Sequence, residues 1–300
     1  MDHNQKTVIA LGFFDGVHLG HQALMERAVL RAKEQDMSPA VFTFDRSPKE
    51  FVTGIPVPLI TTAEARRELV EALFPIRQVI VAPFDREMMT MPWRTFLHML
   101  ADRYHAGWLV AGHDFRFGHK NEGTPALLAQ EAQSMGLGCD IIPAVALDGV
   151  TVSSTHIRAL LERGDVACAN RFLGHPFSIA GTVRHGKGLG SRIGAPTLNL
   201  PPPAGQLVPD YGVYAARVRV DGQLLPAVTN VGVRPTVDVD GDVTVESHLL
   251  EGNLSLYGES CRVEFLQLLR PERQFPDLDA LRAQIARDAR QAREYFAVNR

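Results

Sequence analysis

"GFFDGVHLGH", residues 12–21, follows the apolar run Val8–Leu11 and precedes QALMERAVLRAK, whose apolar positions Leu24, Met25, Ala28, Val29 and Ala32 recur at helical spacing. A plain strand-to-helix turn needs one glycine and a cap. This one has Gly12, Gly16 and Gly20, which let the backbone approach a ligand, and His18 and His21 flanking the helix start. A helix N-terminus offers free N–H groups and partial positive charge, which suits phosphate, and two imidazoles there could meet phosphate charge developing during a reaction. A metal pair is the weaker alternative, because no third ligand lies nearby at suitable spacing.

Outward from this stretch the strand–helix alternation continues to residue 174. Strands are expected at TVIAL (from 7), AVFTF (40), QVIVA (78), WLVAG (108) and CDIIPAV (139). Thr61 with Glu64 reads as a capping box, Thr124–Pro125 as N-cap and N1, and Gly136 as a helix stop. Such alternation predicts a doubly wound parallel sheet, with ligands where strands end and helices begin. After residue 175 the period becomes 2, as in Tyr214–Val220, with hairpin turns at Asp221-Gly222 and Asp240-Gly241 and a strand at RVEFLQLL (262). The last segment spaces Leu278, Leu281, Ile285, Ala289, Ala292 and Phe296 along one helical face. The expected organisation is an α/β domain over 1–174, then a mainly antiparallel β-barrel with a terminal α-helix over 175–300.

The totals fit that picture. The 300 residues carry a formal charge of -3, with 45% hydrophobic and 22% charged residues, which gives no electrostatic footprint for nucleic acid. No apolar stretch reaches a membrane span, and VIALGFF, followed at once by Asp15, reads as a first strand rather than a leader. Cys139, Cys168 and Cys261 are odd in number and far apart, as expected of reduced thiols in a cytoplasmic protein.

Three further stretches carry chemistry. Ser153-Ser154-Thr155-His156-Ile157-Arg158 opens a helix, with hydroxyls that can cap it and an arginine able to clamp phosphate. "GTVRHGKGLGSRIGAPTLNL" (181–200) sets Gly186, Gly188, Gly190 and Gly194 in a loop able to wrap phosphates, with Lys187 and Arg192 beside it and Pro196-Thr197-Leu198-Asn199 following. Val245-Glu246-Ser247-His248 lies downstream.

His18-Leu19-Gly20-His21 resembles the (H/T)xGH signature of nucleotidylyltransferases, and Ser153–Arg158 resembles their SSTxxR element. Thr197 and Asn199 match the PTxN motif of riboflavin kinases, and Glu246 stands in their E(S/T)H element. With Gly112–Gly118 resembling a GxDFxFG segment, nearly the whole chain resembles the prokaryotic bifunctional riboflavin kinase/FAD synthetases. The resemblance implies phosphorylation of riboflavin to FMN, then adenylylation of FMN to FAD with release of pyrophosphate. Riboflavin, FMN and ATP would be the substrates, Mg²⁺ the cofactor, and neither nucleic acid nor membrane a partner. The protein would act as a monomer or weak homo-oligomer. It further implies Glu246 as base, and His18, His21 and Arg158 as catalytic groups of the adenylyl step. Gly12, Phe13, Asp15, Gly16, Asp114, Ser154 and Thr155 would join them around the first ATP. The 186–194 glycine loop with Lys187 and Arg192 would hold the second ATP, with Thr197 and Asn199 also binding Mg²⁺. Phe44, Asp45, Pro48, Phe115 and Glu246 would meet flavin.

The chain departs from the family pattern at Arg46 and Ser47 in the flavin loop, at Asn121, at His156, where an arginine is usual, and at Glu251-Gly252-Asn253 after the E(S/T)H element. These departures predict weaker FMN binding or a changed pH optimum for adenylylation. They leave two alternatives: a riboflavin kinase with a weakened or inactive first domain, and a non-enzymatic flavin carrier.

Overall fold

The computed structural model describes residues 5–184, 197–233, 243–251 and 256–299. The chain divides into two compact units, Met1–Ser154 and Thr155–Arg300.

The first unit holds five parallel strands, β1 (Thr7–Leu11), β2 (Ser38–Phe44), β3 (Gln78–Ala82), β4 (Ala106–Gly112) and β5 (Gly138–Ile142), in the order β3-β2-β1-β4-β5. All five lie where the apolar runs placed them, and β5 stops before Pro143, which has no N–H for the ladder. β1 is buried throughout because both of its faces are covered. Val8 and Ala10 face a core shared with Met25 and Ala28 of α1 (Leu19–Glu34) and Val70 of α3 (Ala63–Leu73). Ile9 and Leu11 face the other core, with Leu97 and Leu100 of α5 (Trp93–Tyr104) and Leu128 of α6 (Pro125–Ser134). The winding direction reverses between β1 and β4, so the crevice at their carboxyl ends is the natural ligand position.

Thr124 caps α6, with Pro125 in its first turn and Gly136 left-handed just beyond its end. The capping box expected at Thr61 with Glu64 does not form, and the helix is capped one residue later. Thr62 caps α3 by accepting from the Ala65 N–H. The Thr61 hydroxyl accepts instead from the Gly16 N–H at 2.9 Å. Of two adjacent threonines, one serves the helix and the other the loop after β1. Two short helices, α2 (Pro48–Thr53) and α4 (Arg86–Thr90), follow β2 and β3.

The second unit begins with α7 (Ser154–Glu162, counted here from Thr155) and α8 (Val166–Leu173). Its sheet has six strands: β8 (Phe177–Thr182), β9 (Thr197–Leu200), β10 (Gly212–Val220), β11 (Gln223–Val233), β12 (Val243–Leu249) and β13 (Ser260–Pro271). Their order is β8-β13-β10-β11-β12-β9, and a two-stranded β6–β7 ribbon (Ala146–Leu147, Val150–Thr151) precedes α7. Every pairing in this sheet is antiparallel, and it curls into a half-barrel. Its two edges meet where the Arg184 N–H donates to the Asn199 carbonyl at 2.8 Å. Asp221-Gly222 turns β10 into β11 with both residues at positive φ, as a two-residue hairpin requires. Asp240-Gly241 lies outside the described residues. Asn170 ties α8 to the sheet, donating to Phe265 O and accepting from Phe177 N.

The terminal helix α9 (Leu278–Val298) corrects the expected stripe. Ala289 and Ala292 are buried as read, but Leu278 is 57% exposed, and Gln284 and Asp288 occupy the covered face. They lie there because Arg270 of β13 needs a partner. Its guanidinium donates to both Asp288 oxygens at 2.8–3.1 Å, and Gln284 donates to Asp288 in turn. A buried charged group persists where it is paired and hydrogen-bonded.

Candidate functional sites

In the first unit the stretch after β1 is a strained loop. Phe14, Gly16 and Val17 have positive φ, at 57°, 84° and 42°. That conformation is unfavourable for a β-branched valine and persists only where surroundings enforce it. Three ties do so. The buried Asp15 carboxylate accepts from the Ile60 and Thr61 N–H groups at 3.2 and 2.9 Å. The Thr61 hydroxyl holds Gly16. The Asp15 carbonyl accepts from the Ser154 hydroxyl at 2.9 Å, which brings the start of the SSTH segment onto the loop. Asp15, expected to meet ATP, thus has its carboxylate committed to the loop's own shape.

His18 caps α1, its Nδ1 accepting from the His21 N–H. The His18 and His21 rings stack at 3.5 Å between centroids, 16° from parallel, and Phe14 meets His21 edge-on. His21 keeps some exposure, but its Nδ1 is buried without a hydrogen-bond partner. Burial first, then the neighbouring His18 and Arg66, hold His21 well below the usual imidazole range. It is therefore neutral at pH 7, suited to donating one hydrogen bond rather than supplying a full charge. Gly20 leaves room for the His18 ring, since a Cβ there would stand 3.1 Å from it. Gly12 likewise allows the Phe14 ring to approach, and a Cβ would sit 2.8 Å from it.

Beside the loop, at the carboxyl ends of β1 to β4, lies a cavity of about 600 Å³. Its apolar lining includes Phe44, Pro48, Phe84, Phe115 and Met88, and four basic residues, Lys49, Arg116, His119 and Lys120, line it with no carboxylate among them. An apolar slot with a few charged groups at its wall is the general form of a small-molecule site. Three expected flavin residues, Phe44, Pro48 and Phe115, line this cavity. Asp45 does not. Its carboxylate accepts from the Phe84 N–H at 2.9 Å and so fixes the segment after β3. Asp114 projects from the turn after β4 with its side chain 83% exposed, within reach of solvent ligands.

Three of the departures from the family pattern have identifiable local surroundings, while Gly252 and Asn253 lie outside the described residues. Ser47 caps α2, accepting from Glu50 N–H, with Pro48 at the first helical position. Asn121 lines the cavity from a left-handed position. His156 packs edge-on against Phe172, an aromatic role an arginine would fill differently. Thr155 and Arg158 lie in the first two turns of α7, exposed and half-buried respectively.

Sequence reading missed Arg66, Thr61, Lys49, Phe84 and the methionines after β3. One signal for Arg66 was available: it stands on the apolar stripe continued by Val70 and Leu73 of α3, where a charged residue is out of pattern.

In the second unit the site is a strand face. Glu246 pairs with Asn199 on one side and Asn230 on the other, and His248 pairs with Thr197. Side chains alternate along strands, so Thr197, Asn199, Asn230, Glu246 and His248 share one face. The opposite face is core, where Thr229 and Ser247 hydroxyls meet at 2.8 Å. The donor set of a threonine hydroxyl, an asparagine carbonyl and a nearby carboxylate fits a hard divalent cation such as Mg²⁺. Gly186, Lys187, Gly188, Gly190, Arg192 and Gly194 lie outside the described residues. Among the described residues no helix is long and apolar enough to cross a membrane.

Comparison with known proteins agrees with both units. The FAD synthetase family profile matches residues 1–156 and the riboflavin kinase profile residues 173–296. The bifunctional riboflavin kinase/FMN adenylyltransferase of Pseudomonas fluorescens is 37% identical over 97% of this chain and 93% of its own length. Its counterpart from Escherichia coli K12 is 37% identical over 98% and 94%, and that of Listeria monocytogenes 33% over 97% and 92%. The crystal structure of the macrolide-efflux protein from Streptococcus pneumoniae matches with a TM-score of 0.86 at 28% identity, covering 96% of this chain and 94% of that one. With a strained His-x-Gly-His loop in one unit and a Thr-x-Asn/Glu strand face in the other, this chain belongs to the bifunctional riboflavin kinase/FMN adenylyltransferase family.

Proposed function

We propose that the chain makes FAD from riboflavin in two ATP-dependent steps, one on each site. The observation that carries the reading is the register that sets Glu246 directly across from Asn199, two residues from Thr197 on the same face. In the first step Glu246 takes the proton of the riboflavin 5′-hydroxyl as that oxygen attacks the γ-phosphorus of ATP, and ADP leaves. Thr197 and Asn199 orient the triphosphate, with Gly186, Lys187, Gly188, Gly190, Arg192 and Gly194 assigned to its cradle on sequence grounds. Mg²⁺, when held by Thr197 and Asn199, neutralises charge on the phosphates.

In the second step the FMN phosphate attacks the α-phosphorus of another ATP, and pyrophosphate leaves. No protein nucleophile is needed. The helix start with His18 and His21 donates to the phosphate oxygens as their charge grows, and Ser154, Thr155 and Arg158 are assigned to the same step on sequence grounds. Gly12, Phe13, Gly16 and Asp114 bound the nucleotide. The aromatic cavity takes the isoalloxazine, and its basic residues favour the phosphorylated flavin. The adenylyl domain is counted through Gly174, since the Ser153–Arg158 element belongs to its chemistry although α7 and α8 pack within the second compact unit. A charge of -3 gives no reason for a nucleic-acid partner, and three cysteines without disulfides suit the cytoplasm.

The test is to incubate the purified chain with riboflavin, ATP and Mg²⁺ and separate the flavins. FMN followed by FAD is expected. FMN alone would remove the second step, and neither product would remove both.

A further inference from the structure

Arg66 has no place in the chemistry above, yet it is the largest fully buried side chain among the described residues, at 0% exposure. No carboxylate lies within ion-pairing distance of it among those residues. Its Nη1 alone is engaged, donating to the carbonyls of Phe13 and Phe44 and to the Thr43 hydroxyl, the last at 2.7 Å. Nε and Nη2 are buried without partners. The guanidinium lies 4.4 Å from the centre of the Phe13 ring. Thr43 supports the same arrangement by donating to the Phe13 carbonyl at 2.8 Å.

Stability does not account for this. A buried cation without an ion pair is unfavourable, and an apolar residue of similar volume would pack as well. Burial pushes Arg66 down to about 10, so it remains charged at pH 7, while Asp15 and Asp45 pull the other way from a distance. The two carbonyls it joins belong to the ends of the two central strands. Phe13 follows β1 and opens the loop that carries His18 and His21, and Phe44 ends β2 at the cavity wall.

We propose that Arg66 is the positioning residue of the adenylyl-transfer site: by joining the Phe13 and Phe44 carbonyls and stacking on Phe13, it holds the strained loop and the cavity wall in a single arrangement. Arginine combines a planar face for the ring with a terminal nitrogen that reaches both carbonyls. This inference rests on assigning the loop to adenylyl transfer, and its test carries one readout that does not.

Full-length Arg66→Met and Arg66→Lys are compared with the unsubstituted chain. The readouts are kcat and KM for FAD formation, riboflavin phosphorylation in the same preparation, and amide exchange at Gly16 and Val17, whose N–H groups donate to the Thr61 hydroxyl and the Phe14 carbonyl. Arg66→Met is expected to lower adenylyl kcat on the order of 100-fold by misplacing the loop. Phosphorylation should stay within about twofold, and exchange should accelerate at Gly16 and Val17 ahead of β4 and β5. Arg66→Lys should fall between, since it keeps the charge and a terminal donor but not the planar face on Phe13.

Unchanged kcat and loop exchange would overturn the proposal. So would exchange rising equally across all five strands, the mark of a purely structural arginine. If the unsubstituted chain forms no FAD, the functional reading fails and the exchange data alone decide this one. If Arg66→Met does not fold, Arg66→Lys is read by the same criteria.

Discussion

The two units place chemistry by opposite means. In the first, the groups after β1, β2 and β4 are carried by loops and helix starts at the carboxyl ends of parallel strands, and the Asp15 and Thr61 side chains keep the loop after β1 in shape. The Asp15 carboxylate accepts from the Ile60 and Thr61 N–H groups, the Thr61 hydroxyl accepts from the Gly16 N–H, and the Ser154 hydroxyl donates to the Asp15 carbonyl. In the second, Thr197, Asn199, Asn230 and Glu246 belong to the strands themselves, and the antiparallel ladder fixes their spacing. A loop-built site can be strained and tuned by burial, at the expense of many supporting contacts. A register-built site needs none of these, but a slip of one residue would turn Glu246 and Asn199 into the core.

The largest expected effect tests whether the two sites are separable. Glu246→Gln should lower riboflavin phosphorylation by about 10²–10⁴-fold, the usual contribution of a general base. FAD formation from supplied FMN should be retained. His21→Asn should do the reverse, costing the adenylyl step about 10²–10³-fold. Rates measured on each substrate separately check both. If either substitution slowed both reactions by one factor, the contrast drawn above would be wrong.

The contrast also explains what was legible. The parallel sheet was readable because strands buried on both faces are continuous apolar runs, as TVIAL is. Glu246 and Asn199 were readable because a short motif on a strand already fixes which face its side chains share. The loop's supports were not, because they come from far along the chain. Nothing near Thr61 says that its hydroxyl will reach Gly16, 45 residues away. The capping box failed for the same reason, since local pattern cannot say which of Thr61 and Thr62 has a distant use. The cavity's methionines and Lys49 carry no local signal either, as they converge only when β3, β2, β1 and β4 lie side by side. Arg66 was the exception, a charge on an apolar stripe.

The next effect concerns those supports. Asp15→Ala should leave the Ile60 and Thr61 N–H groups buried without their acceptor, a loss of about 1–3 kcal/mol. Urea unfolding followed on the first unit would measure it, and a change below about 0.5 kcal/mol would mean the loop is held by other means. The matching substitution on the strand face, Asn230→Ala, should cost less, since the ladder does not depend on that side chain.

Acid should separate the units next. The folded pKa of His21 lies well below its unfolded value. Below about pH 6.5 the unfolded chain therefore binds a proton that the folded chain does not. Stability present at neutral pH is lost as pH falls from there toward the folded pKa, with a limiting slope of about 1.4 kcal/mol per pH unit. His21→Asn should flatten this slope in urea-unfolding stabilities taken between pH 5 and 7. An unchanged slope would assign the acid sensitivity to other groups.

The smallest effect bears on α9, where register again overrode pattern. Leu278 reads as the first residue of an apolar stripe, but it is 57% exposed at the start of the helix. Leu278→Gln should therefore change stability by no more than about 0.5 kcal/mol. Two turns further on, the covered positions belong to Gln284 and Asp288, drawn in by Arg270 of β13. If Leu278→Gln instead cost as much as truncating a buried leucine, about 2–5 kcal/mol, the helix would be anchored from its start by apolar contact. The Arg270–Asp288 pair would then be incidental to its placement rather than the reason for it.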